Sequence, residues 1–202
     1  TINGQTVPNV FHFGGLSSVV LPEAVESIDF LASGYGPEYG RALGGIVGLN
    51  IRSPKKDRRH SLFFVDIFNS GGSVEGPLEN GDSYLLSARY SYISLVLGSL
   101  AKDNPSMNLV VAPTFFDITG VYEHNLGANE KVVFTALTAQ DEMSFVLKQP
   151  SENDPFARGK FYLKNQFFRF IPNYEKSLDE KRKMKLSAGI GQDKNLVEVA
   201  DT

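Results

Sequence analysis

Ser83-Tyr84-Leu85-Leu86-Ser87-Ala88-Arg89-Tyr90-Ser91-Tyr92 alternates with a period of two. Even positions carry Tyr84, Leu86, Ala88, Tyr90 and Tyr92, while odd positions include Ser83, Ser87, Arg89 and Ser91. Successive side chains of an extended chain point to opposite faces, so this run predicts a strand with one apolar and one polar face. The rhythm recurs downstream. Phe116, Ile118, Gly120 and Tyr122 alternate with Asp117, Thr119, Glu123 and Asn125. Phe168, Phe170 and Tyr174 oppose Arg169, Asn173 and Glu175, and Met184, Leu186, Ala188 and Ile190 oppose Lys183, Lys185 and Ser187. With less regular runs added, the pattern predicts strands at 61–68, 72–78, 83–98, 115–126, 131–147, 165–178 and 182–191. Pro172 falls inside one of them, removes a ladder donor and predicts a bulge.

The connectors alternate as well. Residues 79–82, 127–130 and 179–180 read as short turns, whereas 99–113 and 148–164 are long and polar. Short turns at one end and long loops at the other are the rhythm of an outer-membrane β-barrel. A strand tilted across about 25 Å of lipid needs around ten residues. Its outward side chains must be apolar, its inward ones are free to be polar, and every amide must pair with a neighbouring strand. Closed single-chain barrels of this kind use even strand numbers from eight upward, and an open sheet leaves two unpaired edges. The strand count therefore predicts an incomplete stretch of a larger barrel.

Composition narrows the function classes. The chain of 202 residues has no Cys, which excludes disulfide scaffolds, thiolate zinc sites, iron–sulfur clusters and Cys nucleophiles. Twenty Lys and Arg against 23 Asp and Glu give a net charge of −3, which speaks against a nucleic-acid partner. No run of about 18 apolar residues is present to form a membrane-spanning helix. The chain opens Thr-Ile-Asn-Gly-Gln-Thr-Val-Pro, without a signal-peptide pattern or an initiator Met, and is expected to be a processed or excised piece.

The first sixty residues differ in texture. Asn3-Gly4 marks a turn, and 9–18 (Asn-Val-Phe-His-Phe-Gly-Gly-Leu-Ser-Ser) reads as a loop. Pro22 to Glu26 suits one or two helical turns. Short strands are expected at 27–31 and 44–51, and the polar run 54–60 (Pro-Lys-Lys-Asp-Arg-Arg-His) is the best domain boundary. Val25-Glu26-Ser27-Ile28-Asp29-Phe30, then Gly34, then Tyr39-Gly40-Arg41-Ala42-Leu43-Gly44-Gly45-Ile46-Val47, closing at Asn50-Ile51-Arg52, resembles the plug domain of TonB-dependent outer-membrane receptors. Ile2-Asn3-Gly4 is similar to the "I-D-G" that precedes that run. Glu75-Gly76-Pro77-Leu78 followed by Ser87-Ala88-Arg89-Tyr90-Ser91-Tyr92 resembles the first turn and third strand of a subgroup of these receptors. Gly48-Leu49 departs from the family, which has β-branched residues before the Asn.

The resemblance implies residues 1–53 as the C-terminal part of a plug with small α/β elements, 54–60 as linker and 61–202 as antiparallel strands of a transmembrane barrel of roughly 22 strands. It implies a non-catalytic receptor in the outer membrane of a Gram-negative bacterium, without a cofactor. A scarce ligand (siderophore, cobalamin, metal chelate or oligosaccharide) would be taken up actively with energy from the TonB–ExbB–ExbD complex. The TonB box and the first half of the plug would lie outside this chain. Mapped onto these positions, 9–18 is a plug apex loop with Phe11, His12, Phe13 and Ser17 as ligand contacts. Glu38 and Arg41 are plug charges facing lumen residues such as Arg89, Asp117 or Glu123. The long loops would form part of an outer vestibule.

Other motifs are plainer. His12, His60 and His124 lack the spacing of a metal motif. Lys55 to His60 reads as a solvated linker and not a nucleic-acid patch. Gly34-x-Gly36-x-x-x-Gly40 is not followed by the Lys-Ser/Thr of a phosphate loop. Asp66 with Glu75, or Asp141 with Glu142, could form acid/base pairs of a hydrolase, but no nucleophile is placed beside them, and lumen-facing carboxylates are the plainer reading. The competing architecture is a soluble β-rich binding or scaffold module, in which the aromatic faces are buried in protein.

Overall fold

A computed structural model describes residues 1–13, 15, 17–37, 39–40, 44–96, 109–111, 113–147 and 159–200. The protein is mainly β, and its paired strands run antiparallel in two sheets. The smaller sheet pairs β1 (Val25–Leu31) with β2 (Ile46–Ile51). A single 3-10 turn, Pro22–Ala24, leads into it with Pro at its first position. The chain start joins the edge of β2 through a parallel bridge between Ile2 and Leu49. Asn3 and Gly4 make the tight turn there with φ of 47° and 82°, a conformation that Asn and Gly tolerate best.

The larger sheet is a meander. Its strands are β3 (His60–Val65), β4 (Asn69–Pro77), β5 (Ser83–Ser91), β6 (Leu109–Val111), β7 (Thr114–Gly127), β8 (Glu130–Leu147), β9 (Gly159–Ser177), β10 (Lys183–Ser187) and β11 (Ile190–Ala200). The order is β10-β9-β8-β7-β5-β4-β3, with β6 also on β8 and β11 also on β9. β6 and β7 meet β8 in one continuous register, Val111 opposite Phe145 and Thr114 opposite Glu142. The same holds for β10 and β11 on β9, so among the described residues the path has seven in-line strands, the number the alternation predicts.

Pro172 explains the break between β10 and β11. Its carbonyl accepts from the Ala188 N–H at 3.1 Å, so its nitrogen faces the same neighbour with no hydrogen to donate. Ser187 still opposes Asn173 and Ile190 still opposes Phe170. The ladder is interrupted without an extra residue, which corrects the predicted bulge. Three strand limits also shift. β5 stops at Ser91, where its partner β4 begins at Asn69, and 93–96 turn helical. β9 starts at Gly159 because β8 pairs with it as far as Leu147, so the expected loop 148–164 is already strand from there. The last strand runs on to Ala200 opposite Lys160; its polar Gln192 and Lys194 mask the alternation.

The two faces of this sheet have opposite chemistry. Residues 1–53 lie across one face. Ile2, Val19, Val20, Ala24, Leu49 and Ile51 share an apolar cluster with Leu85, Val121, Leu137, Ala139, Phe167 and Ile171. Around that cluster the covered face is polar: Ser83, Ser87, Arg89, Asp117, Thr119, Glu123, Thr135 and Asp141 are all buried. On the other face Leu86, Tyr90, Ile118, Tyr122 and Phe168 are exposed, as are Phe63 at 79 % and Val65 at 81 %.

Gly72 shows how closely the edge strands fit. A Cβ there would run into the Leu62 carbonyl oxygen and lie 2.8 Å from the Phe63 ring, which covers the glycine. Gly72→Val should therefore destabilise the fold by roughly 1–3 kcal/mol, read as a lower denaturant midpoint. Gly127→Ala, with nothing within 4 Å of the added carbon, is the matched control.

Candidate functional site

The seam between residues 1–53 and the sheet holds a dense set of buried polar side chains. It is built from the 9–18 segment upward. Phe11 bridges Ser18, Val19 N–H donates to Val10 O at 3.0 Å and His12 N–H donates to Ser17 O at 2.8 Å. Gly15 closes the turn with φ of 69° and an N–H bond to His12 O at 2.9 Å. This small hairpin sends Phe11 outward and His12 into the sheet.

His12 is 2 % exposed and lies between Asp117 on β7 and Asp141 on β8, themselves 0 % and 1 % exposed. Nε2 is 3.1 Å from Asp117 Oδ2 and Nδ1 is 2.9 Å from Asp141 Oδ1. The ring stacks on Phe115, centroids 4.0 Å apart. Arg89 on β5 donates through Nε to Asp117 Oδ2 at 2.8 Å. Its two terminal nitrogens reach the Ser17 hydroxyl and the Ser18 carbonyl. Asp141 also accepts from Phe13 N–H at 3.0 Å and Asn9 Nδ2 at 3.2 Å, and Asn165 Nδ2 donates to Asn9 Oδ1 at 2.7 Å. Burial opposes a charge on His12, but the two carboxylates outweigh it and raise its pKa above the ordinary 6.5.

A second knot ties the exit of the segment to the sheet. Arg52 forms a two-pronged pair with Glu75 on β4, at 2.6 and 2.7 Å, and Glu75 also accepts Lys55 N–H at 3.0 Å. Nearby, Glu123 accepts from Ser53 Oγ at 2.7 Å and from Lys131 Nζ at 2.8 Å, with Lys56 Nζ at 2.5 Å. Further along, Arg169 donates to Thr6 O at 2.9 Å and clasps Asp193 at 2.6 and 3.0 Å. At the turn end of the sheet, hydrogen bonds from Tyr122 and His124 hold the Asp82 carboxyl down at about 2. Ser83, Ser87 and Thr119 hydroxyls and Asp117 Oδ1 are buried without a protein partner among the described residues.

No protein-family model, no curated protein and no solved structure matches this chain.

The structure brings His12, Ser17, Arg89 and Asp117 into one cluster and sets Glu123 in the second. His12 faces the sheet, whereas Phe11 is 43 % exposed and Phe13 is half-buried and engaged through its backbone. Glu38 and Arg41 lie outside the described residues. Asp141 and Glu142 point to opposite faces; Glu142 pairs with Lys164 at 2.8 Å on the uncovered face. Asp66 caps its own turn through Phe68 N–H and Asn69 N–H. Among the described residues no group of three or more His, Asp or Glu side chains is arranged to hold a metal ion. Sequence reasoning missed Asn9, Arg52 and Ser53 as seam residues, and it read Glu75 and Asp141 only as lumen-facing carboxylates, without the partners the seam gives them. Inward parity carries that reading for Asp141, which opposes Phe115 across the ladder and so shares a face with Asp117, whereas Glu142 falls on the other face.

Removing Arg52 leaves the buried Glu75 carboxylate without its two-pronged partner. Arg52→Ala should cost about 3 kcal/mol in unfolding free energy, and the double variant Arg52→Ala/Glu75→Gln should recover part of that loss.

Proposed function

We propose that this chain forms part of a membrane-embedded receptor: the large sheet is a wall section of an outer-membrane β-barrel and residues 1–53 are its plug. The observation that carries the reading is the inversion of the sheet. Its serine, arginine and aspartate face is covered, and its leucine, phenylalanine and tyrosine face is left open. In water that arrangement exposes the wrong surface, since patches of this kind mark interfaces or membrane contacts. In lipid it is the favourable one.

The open face is also bounded like a membrane band. On β7 it runs from Phe116 to His124, nine residues that at about 3.3 Å each and about 40° of tilt rise about 23 Å. At one border Gln140 and Gln166 lie in register with Phe116, and Glu142 and Lys164 come next beyond them. At the other, Tyr122 and Tyr174 anchor their hydroxyls on Asp82 at 2.5 Å and Glu130 at 2.6 Å, as aromatic girdle residues do. The charged seam supports a plug that is held by paired polar contacts and not by a sealed apolar core. The similarity of the 25–52 run to TonB-dependent receptors supplies the activity: plug-gated uptake of a scarce small ligand, energised by TonB–ExbB–ExbD, without catalysis. Phe11, which turns outward, and the half-buried Phe13 are the candidate ligand surface.

Ile118→Arg separates this reading from a soluble β-module. On a lipid face, an arginine near the middle of the band costs about 2–4 kcal/mol and lowers the folded yield in phospholipid vesicles. On a water-exposed surface the same change stays within about 0.5 kcal/mol. Unchanged folding of the variant in vesicles, with a monomeric wild-type chain in plain buffer, would overturn the membrane reading.

A further inference from the structure

The His12 cluster holds more than packing requires. Both ring nitrogens of one imidazole approach a carboxylate oxygen, at 2.9 and 3.1 Å. A neutral imidazole carries a single N–H, so it can donate to only one of the two. The other contact would then set a ring lone pair against an anionic oxygen in a buried site. The imidazolium satisfies both. Charge gives the same answer. The groups that face His12 are Arg89 from β5, Asp117 from β7 and Asp141 from β8, with neutral Asn165 from β9 beyond Asn9. With a charged His12 the cluster sums to zero; with a neutral one it holds an uncompensated buried negative charge.

The cluster is also where the 9–18 segment is fastened. Asn9, Phe13, Ser17 and Ser18 reach the sheet through Asp141 and Arg89, the same groups that hold or neighbour the imidazole. We propose that His12 is a proton-operated latch: as an imidazolium bridging Asp117 and Asp141 it clamps the 9–18 segment onto β7 and β8, and loss of its proton releases that segment. The latch rests on the buried cluster alone and holds whether or not the opposite face meets lipid.

Its direction follows from linkage. A histidine whose folded pKa lies above the unfolded value contributes stability that is complete below about 6.5 and fades as the pH rises through the folded pKa. The segment is therefore clamped in mild acid and freed once the pH passes the folded pKa of His12.

The test is a pH titration of the full chain labelled with 15N-histidine, with His12→Gln to assign the signal and amide exchange followed at Phe13 and Val19. Doubly protonated His12 is expected to persist above the pH at which free imidazole loses its proton. The protection of the Phe13 amide, corrected for intrinsic exchange, should fall at least tenfold across that titration. Asp141→Asn should lower the His12 pKa by at least one unit and abolish the step, because an asparagine amide can donate to a neutral ring nitrogen while Arg89 keeps Asp117 paired. A neutral His12 at pH 6, or Phe13 protection that does not change as His12 titrates, would overturn the latch even if Asp141→Asn fails to fold.

Discussion

Burying a polar sheet face is costly unless each charge on it finds a partner, and the architecture of this protein answers that constraint. Arg89, Asp117, Asp141, Glu75 and Glu123 all point to the same side of the large sheet. Of these five, Arg89 pairs with Asp117 across adjacent strands, and Glu123 pairs with Lys131 of the next strand. The remaining partners come from residues 1–53 and the short linker: His12, Ser17, Arg52, Ser53, Lys55 and Lys56. The N-terminal segment and the sheet are thus chemically incomplete without one another.

The seam is a patchwork. An apolar centre around Ile2, Leu49, Leu85, Leu137 and Ile171 is flanked by charge-paired knots. Between them, the hydroxyls of Ser83, Ser87 and Thr119 are buried without protein partners among the described residues. Polar contacts in such a seam can be exchanged for water at low cost, whereas an apolar core cannot open without exposing its surface. A body that must stay in place yet rearrange on demand fits that mixture. His12 concentrates it in one side chain, because its charge state decides whether both carboxylates or only one can accept from the ring.

The alternating runs were legible because a strand in a half-covered sheet repeats every two residues, and Ser83–Ser91 or Phe116–Glu123 obey that rule on both faces. Legibility fails where pairing, not periodicity, sets the structure. β9 begins six residues before its first clean alternation because β8 extends opposite it, and β11 persists through Gln192 and Lys194 because β9 is there to receive it. Pro172 was recognisable as a disruption. Whether it would bulge the strand or only interrupt the ladder depended on which neighbour its nitrogen faced, a matter of register.

From sequence alone came the strand number, the apolar and polar parity of each strand, and the Gly-rich character of the first fifty residues, all consequences of local backbone geometry. Only the tertiary structure decided that the polar parity is the covered one, that His12 turns toward Asp117 and Asp141 while Phe11 turns away, and that Arg52 meets Glu75. Those outcomes depend on residues up to about 130 positions apart in the chain being brought within hydrogen-bond reach. No local periodicity encodes such a meeting.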